Sequence, residues 1–193
     1  MKQKSQSVSK TAAIPRDDDA RAVRTRERID EAFVSLLFTR AYLTIRVSDI
    51  CKKADVGRAT FYAHYKSKEA LLQSQLVRIA MPMIKPHAGL PWMLDCRDFF
   101  AHLRAAPELF RSLMSGGEGS GSRAVRAAML VRVDQILGDR LPPSVNLPPP
   151  LLKRFFISTL LTVALHGLRP EGVESGDEMQ RQFEKLIGAG LSV

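Results

Sequence analysis

The chain has 193 residues and a formal net charge of +9, enough length for one good core, or for a small domain joined to a medium one. No apolar run approaches the roughly 20 residues a membrane-spanning helix needs, and the start MKQKSQSVSK has no apolar stretch behind it, so neither a membrane span nor a secretory signal is expected and the cytoplasm is the expected compartment. The charge is uneven: residues 1–80 hold 16 Lys/Arg against 9 Asp/Glu, a net of +7, and residues 81–193 hold 13 against 11, a net of +2, so the N-terminal part suits a polyanion such as DNA.

Residues 1–19 are polar and without periodicity, broken by Pro15 and ending in Asp17-Asp18-Asp19, the composition of a disordered arm. Its Lys2, Lys4, Lys10 and Arg16 suit phosphates or a minor groove, although a solvated tail is the simpler account. From about Ala20 to Arg40, the residues Ile29, Ala32, Phe33, Leu36 and Leu37 form the i, i+3, i+4, i+7, i+8 stripe of an amphipathic helix. Val47, Ile50, Cys51 and Ala54 give a second, short one. Gly57 follows, where a sharp inter-helix turn calls for a residue tolerant of unusual backbone angles. Arg58 to Tyr65 then places Phe61 and Tyr65 on one face and leaves Arg58, Thr60, Tyr62 and His64 elsewhere. Ser67 stands as N-cap of a fourth helix to about Ile79, with Leu72, Leu76 and Ile79 on one face and Pro82 and Pro86 beyond its end. This is the pattern of a helix-turn-helix, whose second helix enters the DNA major groove.

At DICKKADVGRATFYAHYKSKEAL the chain resembles the DNA-binding segment of the TetR family of bacterial transcriptional regulators, from the Asp-Ile start through the glycine turn and the aromatic core to the Ser-Lys-Glu-Ala-Leu run. The likeness extends from about Arg24 to Leu76 and is weak beyond. It implies an all-α fold of about nine helices: a three-helix helix-turn-helix domain over residues 20–66, and a helical effector-binding and dimerisation domain over 67–193, with 67–81 as the connecting helix. It implies that Arg58, Ala59 and Thr60 meet the major groove. There Arg58 suits guanine O6 and N7 and the Ala59 methyl suits a thymine methyl. Thr60, Tyr62, His64 and Lys68 are implied phosphate contacts, and Ser48 is a lesser candidate for base or phosphate. Tyr62 as a packing residue and His64 as a structural one are the bland alternatives. Arg24, Thr25 and Arg26, at the start of the first helix, match the end that approaches the DNA backbone, though solvated positive charge explains them as well. Two departures stand out. Ala41 occupies a usual glycine position, which costs about 1 kcal/mol if its backbone is left-handed. Arg46 occupies the usual Ser/Thr N-cap position of the second helix.

Further on, Trp92 to Ala105 reads as a helix anchored by Phe99, Phe100 and Leu103, and Pro107 opens PELFRSLM at the favoured first-turn site. SGGEGSGS reads as a loop without the Lys of a phosphate-binding loop. Ser122 to about Leu137 is helical, GDRLPPSVNLPPP is a proline-rich loop, and Leu151 to Leu168 is apolar over much of its circumference, so it needs cover on more than one side. Ser175 and Glu178 form a capping box for a last helix with Met179, Phe183, Leu186 and Ile187 on one face.

The resemblance implies a homodimer in which the helices at about 151–168 and 176–190 pack across a two-fold axis, placing two heads on a palindromic duplex operator. It also implies a small-molecule effector, by default apolar or aromatic, that releases a repressor from DNA. Trp92, Phe99, His102, Phe110, Met114, Phe156 and His166 are candidate pocket residues, each also plausible as plain core. Cys51 and Cys96 read as reduced structural thiols. No catalytic or metal site, cofactor or membrane association is expected, because the four histidines and two cysteines match no zinc or catalytic spacing. The alternative is a dimeric helical scaffold or ligand-binding protein without sequence-specific DNA binding, suggested by Ala41 and Arg46.

Overall fold

The structure is a computed structural model that describes residues 17–115, 119–138, 145 and 147–191. Lys2, Lys4, Lys10 and Arg16 of the expected arm lie outside the described residues, as do residues 139–144 and 146 of the proline-rich loop.

Nine α-helices stand among the described residues: α1 Asp17–Leu37, α2 Val47–Ala54, α3 Arg58–His64, α4 Lys68–Ile79, α5 Arg97–Ala105, α6 Pro107–Met114, α7 Ser120–Leu137, α8 Pro149–Gly167 and α9 Gly176–Leu191. The class is all-α, as expected. Two minimal antiparallel hairpins add to it: β1 Lys85–Pro86 pairs with β2 Leu94–Asp95, and β3 Leu168–Arg169 with β4 Gly172–Val173. A 3-10 turn at Tyr42–Thr44 joins α1 to α2.

The N-terminal helices close around Ile29, Phe33, Ile50, Ala54 and Phe61, all buried, with α2 packed along α1. The turn between α2 and α3 corrects the expectation for Gly57. Gly57 is extended, at φ −71° and ψ 156°, and serves as N-cap of α3. The left-handed residue is Asp55, at φ 51° and ψ 54°, a conformation that Asp tolerates better than most side chains. Arg28 holds it there, donating through Nη2 to the Asp55 carbonyl (3.0 Å) and carboxylate (3.1 Å).

Both departures upstream find a physical answer. Ala41 sits at φ −58° and ψ 134°, an ordinary extended geometry, so the expected left-handed cost does not arise. Arg46 has no side-chain acceptor to cap α2. Instead its own N–H donates to Asp49 Oδ2 at 2.8 Å, the backward half of a capping box. Ser67 caps α4 as expected, its Oγ accepting from the Ala70 N–H at 3.0 Å.

Helix α4 continues into the C-terminal bundle along α7, which also meets α6 and α8; α9 lies against α5 and α8. Several expected details shift. On α4 the buried residues are Leu71, Leu72 and Gln75, and Ile79 is exposed. Trp92 to Cys96 is not helical. The buried Gln180 side chain accepts from the Cys96 N–H (2.8 Å) and donates to the Leu94 carbonyl (3.0 Å), so these backbone groups are satisfied in strand and turn geometry until α5 begins at Arg97. Helix α7 begins earlier than expected, at Ser120, because Gly121 lets its first turn close on α6: a Cβ there would stand 2.4 Å from the Leu113 carbonyl oxygen. On α9 the buried side is Met179, Gln180, Phe183 and Ile187, whereas Leu186 is exposed. The Ser175 hydroxyl oxygen accepts from the Glu178 N–H (3.1 Å), but the Glu178 carboxylate turns to Arg181. Cys51 and Cys96 are both free and buried.

Candidate nucleic-acid interface

The candidate reading surface is built on the first turn of α3. Phe61 is fully buried and fixes the helix, and the ring of Tyr62 stands edge-on to it with centroids 5.4 Å apart. This leaves Arg58, Ala59, Thr60 and Tyr62 exposed side by side, with His64 half-buried at the helix end. Arg58 makes no hydrogen bond or ion pair among the described residues. Ser48 is exposed on the first turn of α2, whose outer side also carries exposed Lys52 and Lys53.

A buried polar brace holds this surface to α1. Tyr65 Oη donates to Asp30 Oδ1 at 2.6 Å and accepts from Arg26 Nε at 3.0 Å; Arg78 of α4 lies 3.6 Å from the same carboxylate. Burial, then the bond to Asp30, raises the Tyr65 pKa above the usual tyrosine value. Placing Tyr65 on one face with Phe61, and no more, missed this role. The signal available was Asp30, an acid next to Ile29 on the buried side of α1, which needs a donor. Arg26, expected among the backbone contacts, belongs to this brace and also donates to Ser74 (3.3 Å).

Lys68 has an internal role as well. Its Nζ donates to the carbonyls of Tyr42 (2.8 Å) and Ile45 (2.7 Å) and stands 4.1 Å from the Tyr42 ring centroid. Burial lowers its pKa, partly opposed by Asp49. The Asp49 carboxylate lies below its usual range, chiefly through the Arg46 N–H, and pairs with Arg40 at 3.2 Å. Arg24 is exposed, and Thr25, half-buried, donates its hydroxyl hydrogen to the Arg21 carbonyl at 2.9 Å.

The candidate effector residues separate. Phe99, His102 and Phe110 line a cavity of about 70 Å³ between α4, α5, α6 and α7, together with Leu76, Leu109 and Leu113. Trp92 lies in the turn between β1 and β2, and Met114, half-buried, ends α6. Phe156 packs edge-on to Phe183 at 6.3 Å. His166 is on the outer side of α8, 3.7 Å from Glu174.

A helical bundle headed by a helix-turn-helix places the chain in the class of helix-turn-helix proteins. Residues 31–74 match the sequence profile of the family described as "Bacterial regulatory proteins, tetR family". Over those residues the chain is similar to that family. It is 45% identical over 67 residues to the uncharacterized HTH-type transcriptional regulator YxbF of Bacillus subtilis, a match covering 34% of this chain and 18% of that protein. It is 30% identical over 122 residues to the HTH-type transcriptional regulator AlkX of Mycobacterium tuberculosis, covering 58% of this chain and 57% of that protein. The matches therefore span less than two thirds of either relative. A TetR transcriptional regulator from Streptococcus agalactiae superposes with a TM-score of 0.58 at 23% identity, covering 89% of this chain and 97% of that one. A tetR-family regulator from Streptomyces coelicolor gives 0.56 at 19% identity, covering 93% and 84%. These two establish the likeness in fold. No helix among the described residues is long and apolar enough to cross a membrane.

Proposed function

We propose that the chain is a cytoplasmic DNA-binding transcriptional regulator, a homodimer that acts as a repressor and leaves its operator when a small apolar or aromatic effector binds. The observation that carries this reading is the exposed Arg58-Ala59-Thr60 turn on a helix locked from behind by Phe61 and Tyr65, within the segment that matches the family. Arg58 has the donor groups for a guanine edge, and Thr60, Tyr62, His64, Ser48 and Arg24 supply donors for phosphates. Residues 20–66 act as the head and 67–193 as the effector and dimer domain.

The dimer reading is supported by α8 and α9. Leu151, Leu165 and Leu186 are exposed on these helices, and Thr162, Val163, His166, Gln182, Lys185 and Leu186 line an open groove of about 360 Å³. A second copy would cover this face and set two heads roughly 34 Å apart, or a multiple of that, on a palindromic site. The effector reading is supported by the apolar cavity at Phe99 and Phe110, with His102 as its polar handle. At about 70 Å³ it must open to take an organic ligand, so binding would select a minor conformation.

Duplexes recovered by genomic footprinting, titrated with salt beside a random duplex of equal length, test the reading. Binding of both should weaken steeply with salt, with a slope of about −0.9 per phosphate contacted. Arg58→Ala should lose about 1–3 kcal/mol on the recovered duplex and little on the random one. Equal loss on both duplexes would remove Arg58 from the base-reading role.

A further inference from the structure

We infer that Tyr42 is a positioning residue that couples the reading head to the cavity through α6, a second link running beside the continuous helix α4; the inference rests on the reading of the head as a DNA reader. Tyr42 belongs to the turn immediately before α2, and its side chain is 0% exposed. Three helices of the C-terminal bundle grip it. Its N–H donates to Ser112 Oγ of α6 at 3.1 Å. Its ring borders Gly121 of α7, where an added Cβ would stand 3.1 Å from Tyr42 Cδ1. The Lys68 ammonium of α4 lies 4.1 Å from its ring centroid.

The same α6 forms a wall of the cavity through Leu109, Phe110 and Leu113. Ser112 sits within that turn of helix, so the wall does not shift without carrying Ser112 Oγ. A displacement of about 0.5 Å takes the bond from 3.1 Å beyond hydrogen-bond range. On the head side the displacement is passed on at once. Lys68 joins the Tyr42 and Ile45 carbonyls, and the Ile45 N–H donates to the Tyr42 carbonyl at 3.2 Å, so the turn moves as one piece with the start of α2. Close-packed contacts of this kind hold discrete arrangements rather than deform smoothly. Occupancy of the cavity is therefore read by α2 as well as by α4.

Native-state hydrogen exchange on the full chain tests the link without any ligand. The Tyr42 amide should be protected in the wild type, and Ser112→Ala should speed its exchange by about tenfold or more, whereas Ser112→Thr, which keeps the acceptor, should not. Phe110→Leu in the cavity wall should speed exchange of the α2 amides of Ile50 and Cys51 by about threefold in the wild-type background and leave them unmoved in the Ser112→Ala background. An equal response in both backgrounds, or a Tyr42 amide indifferent to Ser112→Ala, overturns the link. Footprint-recovered and random duplexes give the second readout: Ser112→Ala should reduce the preference between them by about three- to tenfold, and Ser112→Thr should restore it. Exchange coupling without any duplex preference would overturn the DNA reading and leave the link standing; preference without exchange coupling would do the reverse.

Discussion

Replacing Gly121 by alanine tests the tight approach of two helices at the joint between head and bundle. The added Cβ would stand 2.4 Å from the Leu113 carbonyl oxygen and 3.1 Å from Tyr42 Cδ1. The nearer neighbour is backbone, so no rotamer change relieves it; the first turn of α7 must move away from α6 by roughly 1 Å. Overpacking of this kind costs about 1–3 kcal/mol. The propensity gain of alanine over glycine, up to about 1 kcal/mol in a helix interior, counts for less at a first turn. The net loss is about 1–2 kcal/mol. For a chain of this size that lowers Tm by about 2–8 °C. Thermal unfolding followed by circular dichroism, at one protein concentration so that any contribution of assembly is held fixed, reads the shift. Gly188→Ala is the matched control. Among the described residues, and apart from its own stretch of α9, no heavy atom lies within 4 Å of its added Cβ, so the same chemical change should raise Tm by up to about 4 °C. A Gly121→Ala chain as stable as the wild type would refute the close approach of α6 and α7, and with it the seat of Tyr42.

Asp55 holds φ 51°, so Asp55→Gly should be nearly neutral while Asp55→Val, a β-branched side chain in left-handed geometry, should lose about 1–2 kcal/mol more in urea unfolding; equal midpoints would contradict the turn. Alkaline pH should weaken the fold from the side of Cys96. Burial pushes its thiol well above the ordinary value, so the unfolded chain releases this proton from about pH 8.5 while the folded chain keeps it. Stability from Cys96 is therefore complete below that pH and falls above it, by up to about 1.4 kcal/mol per pH unit. Tyr42 and Tyr65, raised mainly by burial, add to the fall from about pH 10. Cys96→Ala should flatten urea-derived stability between about pH 9 and 10, and an unchanged slope would mean that the thiol ionises inside the fold. Lys68→Met keeps the stem over Tyr42 and removes the two bonds to the turn. It should lose about 1–3 kcal/mol of stability and weaken binding to the recovered duplex more than to the random one, with an unchanged salt slope; a slope smaller by about 0.9 would instead place the ammonium on a phosphate.

Periodicity marked α1 to α4 within a few residues, because these helices bury one regular face and their ends carry local signals such as Ser67. Resemblance ordered the head, and Pro107 marked α6 on its own. What escaped was decided by groups far apart in the chain. Cys96 and Leu94 look helical in a run that includes Trp92 and Phe99, yet Gln180 satisfies their backbone from another helix. Gly121 reads as part of a glycine-serine loop, and only the carbonyl of Leu113 gives it a packing role. Gly57 attracted the left-handed assignment that Asp55 carries, since Arg28 lies 27 residues away from the turn it holds. The seven candidate pocket residues were chosen by type alone, and type does not tell which side of a helix faces a void. Phe99 and Phe110 share the cavity, whereas His166 lines the open groove on α8 and α9.

The side chains already engaged inside the head narrow the surface left for DNA. Arg26 is committed to Tyr65 and Ser74, Arg28 to Asp55, Arg40 to Asp49 and the Thr44 carbonyl, and Lys68 to two carbonyls of the turn. A cation with its donors satisfied within the protein must give up those bonds to meet a phosphate, and their loss offsets much of what the phosphate would contribute. Among the described residues Arg58 has no such bond to give up. The positive charge concentrated in residues 1–80 therefore divides into two jobs. One set of arginines and a lysine is tied up inside the head where α2 and α3 leave α1, and on the proposed reading the exposed Arg58 turn is what is left to meet the bases. Sequence discrimination in this arrangement depends on rigidity as much as on touching the bases. A bidentate arginine distinguishes guanine only while its helix is held at the angle that brings both donors to the base edge. The Asp30–Tyr65–Arg26 brace and the turn locked by Lys68 supply that angle. Loosening either should flatten the difference between recovered and random duplexes before it abolishes binding.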